Sequence, residues 1–346
     1  MYVAFPLKEL KTAQNGLAWR EGLGIHTGPT IMPTKNPSAD MQKANKIVFL
    51  HAGLHKTATS SLQSTCRLNR AALMAQGVHY PLFHCVENGR KGIGNHSIPL
   101  RTVFNSSGKA YDMTTHWKLR DLTAAIDGYR NTLIESISLH DCIFLSAEGV
   151  SSMAIFDLRS LKSFLNDMGA TIVPLACVRS PYSHHCSAIQ HALRRAVKGR
   201  GPRVPMTLFA SQLPKVQALL EVFGEAITFL SFRQACADSL GPVGAVLRHY
   251  GLKPDQLNLV RANQGCSNAN FRQVWHELAD PASQDWTKTQ RQERLTLLRT
   301  TDDGPKFKLN STELEEIRDR LDAENQAFRQ LLGDIFCDYN YPIVEA

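Results

Sequence analysis

A lysine and four hydroxyl residues stand together near residue 56, directly after a short apolar segment. Ile47–Leu50 leads into His51-Ala52-Gly53-Leu54-His55-Lys56-Thr57-Ala58-Thr59-Ser60-Ser61. Backbone N–H groups at a helix start, hydroxyls and one ammonium are the groups that enclose an anion. A helix needs one N-cap, and Ser and Thr are mediocre inside it. The pattern therefore favours an anion-binding loop over a merely well-capped helix, with the candidate ligands Gly53, Lys56, Thr57, Thr59, Ser60 and Ser61.

The loop differs from the one that binds nucleoside triphosphates. That loop has the form Gly-x-x-x-x-Gly-Lys-Ser/Thr, whereas here His55 precedes the lysine and Gly53 lies three residues before it. The apolar segment Cys142–Leu145 also runs into Ser146-Ala147-Glu148 instead of an aspartate that could hold magnesium. The sequence predicts a shorter loop that surrounds fewer phosphates and needs no metal.

A second anion site is indicated after another apolar segment. Arg179 follows Thr171–Val178, and Ser187 comes eight residues later in a helix that Pro181 begins. An arginine fork donates two hydrogen bonds to one phosphate, and a nearby hydroxyl closes the other side. An arginine at a strand end more often forms a surface ion pair. When Arg179 and Ser187 are taken together with the first loop, in this order along the chain, they indicate a ligand with two anionic groups.

Both segments resemble PAPS-dependent sulfotransferases, in particular bacterial members of that family. Ile47 to Gln63 is similar to the family's 5′-phosphosulfate loop, whose usual form is Lys-Thr-Gly-Thr-Thr, with Ala58 in place of the glycine and Ser60 in place of a threonine. Arg179 to Ser187 is similar to the stretch that holds the donor's 3′-phosphate. The resemblance covers roughly residues 46–280 and includes Asn69-Arg70, Gly77-Val78-His79-Tyr80-Pro81 and Leu145-Ser146-Ala147-Glu148.

The resemblance implies a fold, a donor and a reaction. It implies a three-layer α/β/α domain of the P-loop type, with a central parallel sheet and helical additions at the C-terminal end. The donor would be PAPS, the product PAP, and no metal would be required. A sulfuryl group would pass to a hydroxyl or amine of an acceptor, such as a carbohydrate or another small molecule. The alternatives are a P-loop kinase that uses Mg-ATP and a non-catalytic module that binds a nucleotide or anion.

Three residues are candidates for the chemistry. Lys56 would neutralise charge on the leaving phosphate oxygen, because a lysine at a helix start opposes the local dipole unless an anion lies between them. Glu148 is the first candidate for the base, since it follows a strand at the sheet edge where ligands bind. It could instead cap the next segment or pair with an arginine. His96, in Gly92-Ile93-Gly94-Asn95-His96, is the second candidate.

The chain is basic, with 39 Lys and Arg against 31 Asp and Glu, which favours an anionic ligand or a solvated basic face. Residues 191–203 contain five of these cations and no acid. They could hold an anionic acceptor, contact the donor, or form a solvated loop. Nucleic acid is not expected as a partner, because no aromatic residues alternate with these charges to stack on bases. Oligomeric state is left open.

Composition predicts a cytoplasmic protein with one large domain. Eight cysteines include no Cys-x-x-Cys pair, no metal-ligand spacing is present, and no segment approaches the length of apolar chain that spans a membrane. Residues 1–45 carry Gly and Pro at irregular spacing and are expected to form a loosely ordered extension. Residues 46–346 are expected to form a single domain, helical from about residue 285.

Apolar segments alternate with helical patterns after residue 45, which predicts a parallel sheet covered on both faces. Pro174 inside a strand predicts a bulge or an edge, and Gly77 predicts a helix end. The predicted strands are Ile47–Leu50, Cys142–Leu145, Thr171–Val178 and Ala226–Leu230, and the predicted helices lie near 57–76, 116–139, 155–168, 181–197 and 311–332.

Overall fold

The computed structural model describes residues 46–85, 89–106, 121–262, 265–300 and 304–344. The extension predicted for residues 1–45, and the first residues of the helix predicted near 116–139, lie outside these ranges. The strands, in chain order, are β1 (Lys46–His51), β2 (Phe83–Cys85), β3 (Arg90–Ile93), β4 (Cys142–Ser146), β5 (Ala170–Val178) and β6 (Thr228–Ser231).

The central sheet has the order β4-β1-β5-β6, and all of its neighbouring strands are parallel. β2 and β3 form a separate antiparallel pair that the sequence analysis missed. The helices, in chain order, are α1 (Thr59–Leu68), α2 (Arg70–Ala75), α3 (Ser97–Val103), α4 (Leu122–Leu139), α5 (Ile155–Asp167), α6 (Pro181–Val197), α7 (Leu213–Phe223), α8 (Phe232–Cys236), α9 (Gly241–His249), α10 (Asn268–Glu277), α11 (Lys288–Leu297), α12 (Ser311–Glu315) and α13 (Arg318–Leu332).

Both faces of the sheet are buried. Val48 and Leu50 of β1 pack into one apolar cluster with α4, α5 and α7. Phe49, between them, packs into a second cluster with α1, α2 and α9. Successive side chains of a strand point to opposite faces, so an unbroken apolar segment such as Ile47–Leu50 fits a strand covered on both sides. The predicted α/β class with a central parallel sheet flanked by helices is confirmed.

A third apolar cluster joins α6 to the C-terminal helices. Ile189 and Leu193 of α6 pack with residues of α10 to α13, including Phe271 and Leu321. One side of α6 therefore packs in this cluster. Ser187 lies on a different side of the helix and is not part of the cluster. This cluster holds the helical C-terminal part against the helix that carries the second predicted anion site.

Pro174 lies in an internal strand, although the sequence predicted a bulge or an edge. The carbonyl of Leu175 accepts a hydrogen bond from Ala52 N, on the β1 side of β5. The backbone N–H and C=O groups of successive strand residues point to alternate sides, so those of Pro174 point away from β1 and toward β6. β6 pairs with β5 only from Leu175 onward. The proline thus occupies a local edge of an internal strand, and no pairing hydrogen bond is lost.

The helix predicted near 57–76 is broken at Asn69. The Asn69 side chain donates to Asn258 O and accepts from Asn258 N, both at 2.9 Å. These bonds belong to a longer contact. Thr65 Oγ1 accepts from Val260 N and Ser61 Oγ accepts from Ala262 N, each also at 2.9 Å.

This contact matches two regular spacings. Ser61, Thr65 and Asn69 are four residues apart, and four helical residues rise about 6 Å. Their backbone partners are two residues apart, and two extended residues span about 6.6 Å. Segment 258–262 is therefore held along α1 by side chains that the sequence analysis had partly assigned to the anion.

Candidate active site

Residues that follow all four strands of the central sheet line one cavity of about 810 Å³. They are Lys56 after β1, Glu148 after β4, Arg179 after β5 and Phe232 after β6. The carboxyl edge of an open parallel sheet is where such folds bind ligands. A cavity of this volume lies within the range of roughly 300–1,000 Å³ that is typical of small-molecule sites.

Lys56 and Arg179 are joined at this edge. Arg179 Nη1 donates to Lys56 O at 3.0 Å, and Arg179 Nε donates to Ser183 Oγ at 2.8 Å. The carbonyl of Arg179 accepts from Gln212 Nε2 at 2.7 Å. Because β1 and β5 are adjacent, the two predicted anion sites open into the same cavity, and Ser187 also lies on its wall.

The loop before α1 contains two residues in the left-handed backbone region. Lys56 has φ 70° and Ala58 has φ 60°. For residues with a Cβ this region costs about 1–2 kcal/mol each. Ala58 is the N-cap of α1 and makes no side-chain hydrogen bond there, and the first turn contains no acid. Ala58 thus leaves the N-terminal N–H groups of α1 uncapped, and no other described side chain caps them on this wall of the cavity.

The four hydroxyl residues of the loop have different environments. Thr57 is buried and donates to Leu54 O at 2.6 Å, so it is not on the cavity wall. Thr59 donates to Glu148 Oε2, and Ser61 is bonded to the backbone of Ala262. Ser60 lines the cavity, and among the described residues no partner bonds its hydroxyl. Thr57, one of the predicted anion ligands, therefore lies off the wall, and its hydroxyl closes the loop from inside.

Gly53 lies beneath the loop and not on the cavity wall. A Cβ built there would lie 2.5 Å from His51 Cε1 and 2.9 Å from Thr59 Cγ2. Gly53 therefore allows His51 and Thr59 to pack against the backbone. Its contribution to the anion site is to the shape of the loop.

Cations dominate the cavity wall. Among the described residues, two acids share this wall with them, and one, Asp238, is paired with Arg248 at 2.6 Å. Such a surface favours a ligand with several negative charges. In the part of the chain that the structure describes, the cations of the wall are Lys56, Arg179, Arg194, Arg195, Lys198, Arg261, Arg299 and Lys306.

Lys56 has an unusually low pKa for a lysine. Desolvation, which is the largest cause, and the charges of Arg194, Arg179 and Arg195 lower it to about 8, although Glu148 raises it. A bound anion would supply the negative charge that this ammonium lacks. The prediction that an anion lies between Lys56 and the helix start is consistent with this environment.

Glu148 is the second acid of the cavity wall, and it lies beside the loop. It is half-buried, begins a short 3₁₀ helix (Glu148–Ser152), and accepts the Thr59 hydroxyl. His55 Nδ1 is 3.8 Å from Glu148 Oε2, and burial holds the pKa of His55 below its usual range. The Glu148 carboxylate therefore lies beside the first residue of α1 and close to Lys56, and it is open to the cavity.

His96 is not placed to act as a base, although the sequence made it the second candidate. It is fully buried and lies outside the cavity wall. Its Nε2 donates to Pro81 O at 2.9 Å, and its Nδ1 accepts from Ser146 N at 3.0 Å. Burial lowers its pKa to about 4. Both nitrogens are used by the backbone, so His96 holds the segment after Pro81 against the end of β4.

Several cavity residues were missed by sequence reasoning. Phe232 packs under Arg179, whose guanidinium carbon is 4.8 Å from the ring centroid. Arg261, Arg299 and Lys306 reach the wall from distant parts of the chain. None stands in a local motif, and only the tertiary structure brings them together. The segment 191–203 was noticed, but its first part is helical and its Arg194, Arg195 and Lys198 line the cavity.

Three further observations concern the described residues only. No group of three or more His, Cys, Asp or Glu side chains there is placed to hold a metal ion. None of the helices in these ranges combines the length and the apolar character needed to cross a membrane. All eight cysteines are free, and Cys236 alone among them is exposed.

Comparisons with known proteins gave one structural similarity to report. A comparison with protein-family models found no match, and a comparison with curated protein sequences found none either. Among solved structures, the chain is similar to a sulfotransferase from Alicyclobacillus acidocaldarius, with 16% sequence identity and a TM-score of 0.37. The similarity covers 68% of this chain and 94% of that one.

Proposed function

We propose that the protein is a PAPS-dependent sulfotransferase. The observation that carries the proposal is the junction of Lys56 with Arg179, at the ends of adjacent strands and on the wall of one cation-rich cavity. PAPS carries a 5′-phosphosulfate and a 3′-phosphate on one ribose. The uncapped start of α1 with Lys56 and Ser60 suits the first group, and Arg179 with Ser187 suits the second.

The remaining wall suits a nucleoside. The cavity wall also includes apolar side chains, which can cover the flat face of a base. Phe232 already stacks beneath the Arg179 guanidinium. The larger apolar residues of the wall are Phe232, Leu240, Pro242, Val243, Leu259 and Val260.

The proposed reaction moves one sulfuryl group. An acceptor oxygen forms a bond to sulfur while the bond between sulfur and the 5′-phosphate oxygen breaks, and that oxygen keeps the electron pair. Lys56 stabilises the charge that develops on this oxygen. The acceptor's proton passes to the carboxylate of Glu148, which gives PAP and a sulfate ester. An amine acceptor would lose its proton in the same way.

A nucleotide titration tests the proposal. Metal-free PAP at millimolar concentration should raise the melting temperature, because a ligand that binds only the folded state stabilises it by RT ln(1 + [L]/Kd). Lys56→Ala should remove most of this rise. Lys253→Ala, a change of an exposed lysine outside the cavity, is the matched control.

The same titration separates the alternatives. A P-loop kinase would respond to ATP only with magnesium, and it would show no preference for PAP. Transfer of labelled sulfate from PAPS, abolished by Lys56→Ala, would exclude a non-catalytic module. No rise with PAP in the wild-type protein would contradict the proposal.

A further inference from the structure

The hydroxyl proton of Thr59 is used by Glu148. Thr59 is the first residue of α1, its side chain is buried, and its Oγ1 donates a hydrogen bond to Glu148 Oε2. A threonine hydroxyl has one proton to donate, and an anion can accept only from a donor that is free. While the bond to Glu148 exists, Thr59 can offer a phosphosulfate group only its backbone N–H, which is one of the unpaired donors of the helix start.

The methyl group of Thr59 is seated on Gly53. A Cβ at position 53 would lie 2.9 Å from Thr59 Cγ2, so the methyl group packs where the glycine has no side chain. The χ1 angle of a β-branched residue is restricted, and the position of one branch sets the position of the other. Packing on Gly53 therefore holds the Thr59 hydroxyl toward Glu148.

The bond with Thr59 occupies one oxygen of the Glu148 carboxylate. Within the described ranges Oε1 has no hydrogen-bond partner, and it does not belong to the buried polar atoms that lack one, so solvent reaches it. His55 Nδ1 approaches Oε2, but at 3.8 Å it is beyond hydrogen-bond distance. Of the side chains that the structure describes, Thr59 is thus the one that holds the carboxylate by a hydrogen bond, and it leaves Oε1 open.

The next hydroxyl along the helix is placed differently. Ser60 follows Thr59 in α1 and lines the cavity, and no described group bonds its hydroxyl. Successive residues of a helix point in directions about 100° apart, since a turn takes 3.6 residues. Two adjacent hydroxyls therefore face two different groups, and the hydroxyl that remains for the donor is that of Ser60.

We propose that the side chain of Thr59 is a positioning residue for the base Glu148 and not a ligand of the donor. This inference rests on the proposed function and deepens it. Thr59 begins the helix whose start would bind the 5′-phosphosulfate. The hydrogen bond therefore fixes the base relative to the sulfur that the acceptor attacks, and such positioning of reacting groups lowers the barrier.

The transfer step then divides the two carboxylate oxygens between two tasks. The acceptor oxygen forms a bond to sulfur, the bond from sulfur to the 5′-phosphate oxygen breaks, and that oxygen keeps the electron pair. The acceptor's proton moves to Oε1 of Glu148. The Thr59 hydroxyl keeps its own proton throughout and holds Oε2.

Thr59→Val tests the inference, because it removes the hydroxyl and keeps two branches at Cβ. Calorimetric titration measures the affinity for PAP. Transfer of labelled sulfate from PAPS is measured with the fastest acceptor among water, phenol, glucose and glucosamine. We expect PAP affinity within about twofold of the wild type and an unchanged KM for PAPS, but a kcat lowered about 10- to 100-fold, as for loss of a hydrogen bond to a charged group.

Three further variants are the controls. Thr59→Ser keeps the hydroxyl and should restore kcat. Thr296→Val, the same change at an exposed helical position off the cavity wall, should alter neither quantity. Ser60→Ala should instead weaken PAP binding, by about tenfold, because it removes the hydroxyl that remains for the donor. Thr59→Ala removes the same hydroxyl as Thr59→Val and replaces it if that variant does not fold.

The outcomes separate this inference from the proposed function. PAP binding weakened about tenfold by Thr59→Val would make Thr59 a donor ligand and overturn the inference. An unchanged kcat in Thr59→Val, or a kcat that Thr59→Ser does not restore, would also overturn it. Wild-type protein that binds no PAP, or that transfers sulfate from PAPS to none of these acceptors, would instead contradict the proposed function.

Discussion

The guanidinium of Arg179 donates a hydrogen bond to the carbonyl of Lys56 at 3.0 Å. This bond joins the end of β5 to the loop after β1, and Arg179 also bonds Ser183 of α6. The arginine that would bind one phosphate therefore also fixes the backbone of the loop that would bind the other. The same side chain is therefore part of both proposed sites.

Arg179→Lys tests whether PAP binding needs only the positive charge of Arg179 or also the hydrogen bonds of its guanidinium. A lysine keeps the positive charge but cannot donate to Ser183 and Lys56 in the same fixed fork. We expect PAP affinity to fall about 10- to 100-fold, as for loss of a charge-assisted hydrogen bond worth about 1.5–3 kcal/mol. Calorimetric titration measures it. Arg233→Lys, at an exposed neighbouring position, should leave affinity unchanged, and unchanged affinity in Arg179→Lys would show that charge alone matters.

Ala58→Gly tests the strained loop. Glycine adopts φ 60° without the Cβ clash, but it also loses more chain entropy on folding. The net result should be about 0.5–1 kcal/mol of added stability in chemical denaturation, with PAP binding retained. Ala192→Gly, in the helical interior of α6, should lower stability by about 1 kcal/mol. Equal destabilisation by both changes would mean that the loop is relaxed in solution.

The pKa of Lys56 predicts a pH dependence of donor binding. Its pKa of about 8 in the free protein should rise when an anion binds, because the anion favours the charged form. Affinity for PAP should therefore be full below about pH 8 and decline as the pH rises above it. Titrations between pH 7 and 9.5 avoid protonation of the nucleotide's 3′-phosphate, whose second pKa lies near 6. Lys56→Arg should remove the decline, and a decline that persists would assign the titration to another group.

Glu148→Gln should affect binding and transfer in opposite directions. Loss of a negative charge next to the anion site should tighten PAP binding at pH 7 by about 1 kcal/mol, roughly fivefold. Sulfate transfer should fall about 100- to 10,000-fold, because the acceptor's proton loses its recipient. Glu225→Gln, at an exposed position, should change neither. Weaker PAP binding together with unchanged transfer would remove Glu148 from the mechanism.

Local patterns predicted most of the sheet. β1 and β4 extend one or two residues beyond the predicted Ile47–Leu50 and Cys142–Leu145, and α6 has the predicted bounds 181–197. Apolar strands and a first-turn proline are local signals, so a single sequence contains them. The pair β2–β3 was missed because its strands are only three and four residues long. The helix near 311–332 divides into α12 and α13.

Residues of the cavity wall were predictable where one segment carries several of them. Lys56, Ser60, Arg179 and Ser187 lie on the cavity wall as the two motifs indicated. Thr59 and Ser61 also lie on this wall, whereas Thr57 does not. The hydrogen-bond partners of these three hydroxyls are Leu54 for Thr57, Glu148 for Thr59 and Ala262 for Ser61, and they depend on the fold. For the same reason His96 looked available in the sequence. Its two backbone partners are fifteen and fifty residues away along the chain.

The central claim is that one nucleotide bridges Lys56 and Ser187, and adenosine monophosphates test it most directly. Calorimetric titration of PAP, adenosine 5′-monophosphate and adenosine 3′-monophosphate would be compared in the wild type, Lys56→Ala and Ser187→Ala. We predict that Lys56→Ala weakens the 5′-monophosphate but not the 3′-monophosphate, that Ser187→Ala does the reverse, and that both weaken PAP about tenfold or more. Equal effects of each variant on both monophosphates would contradict the claim.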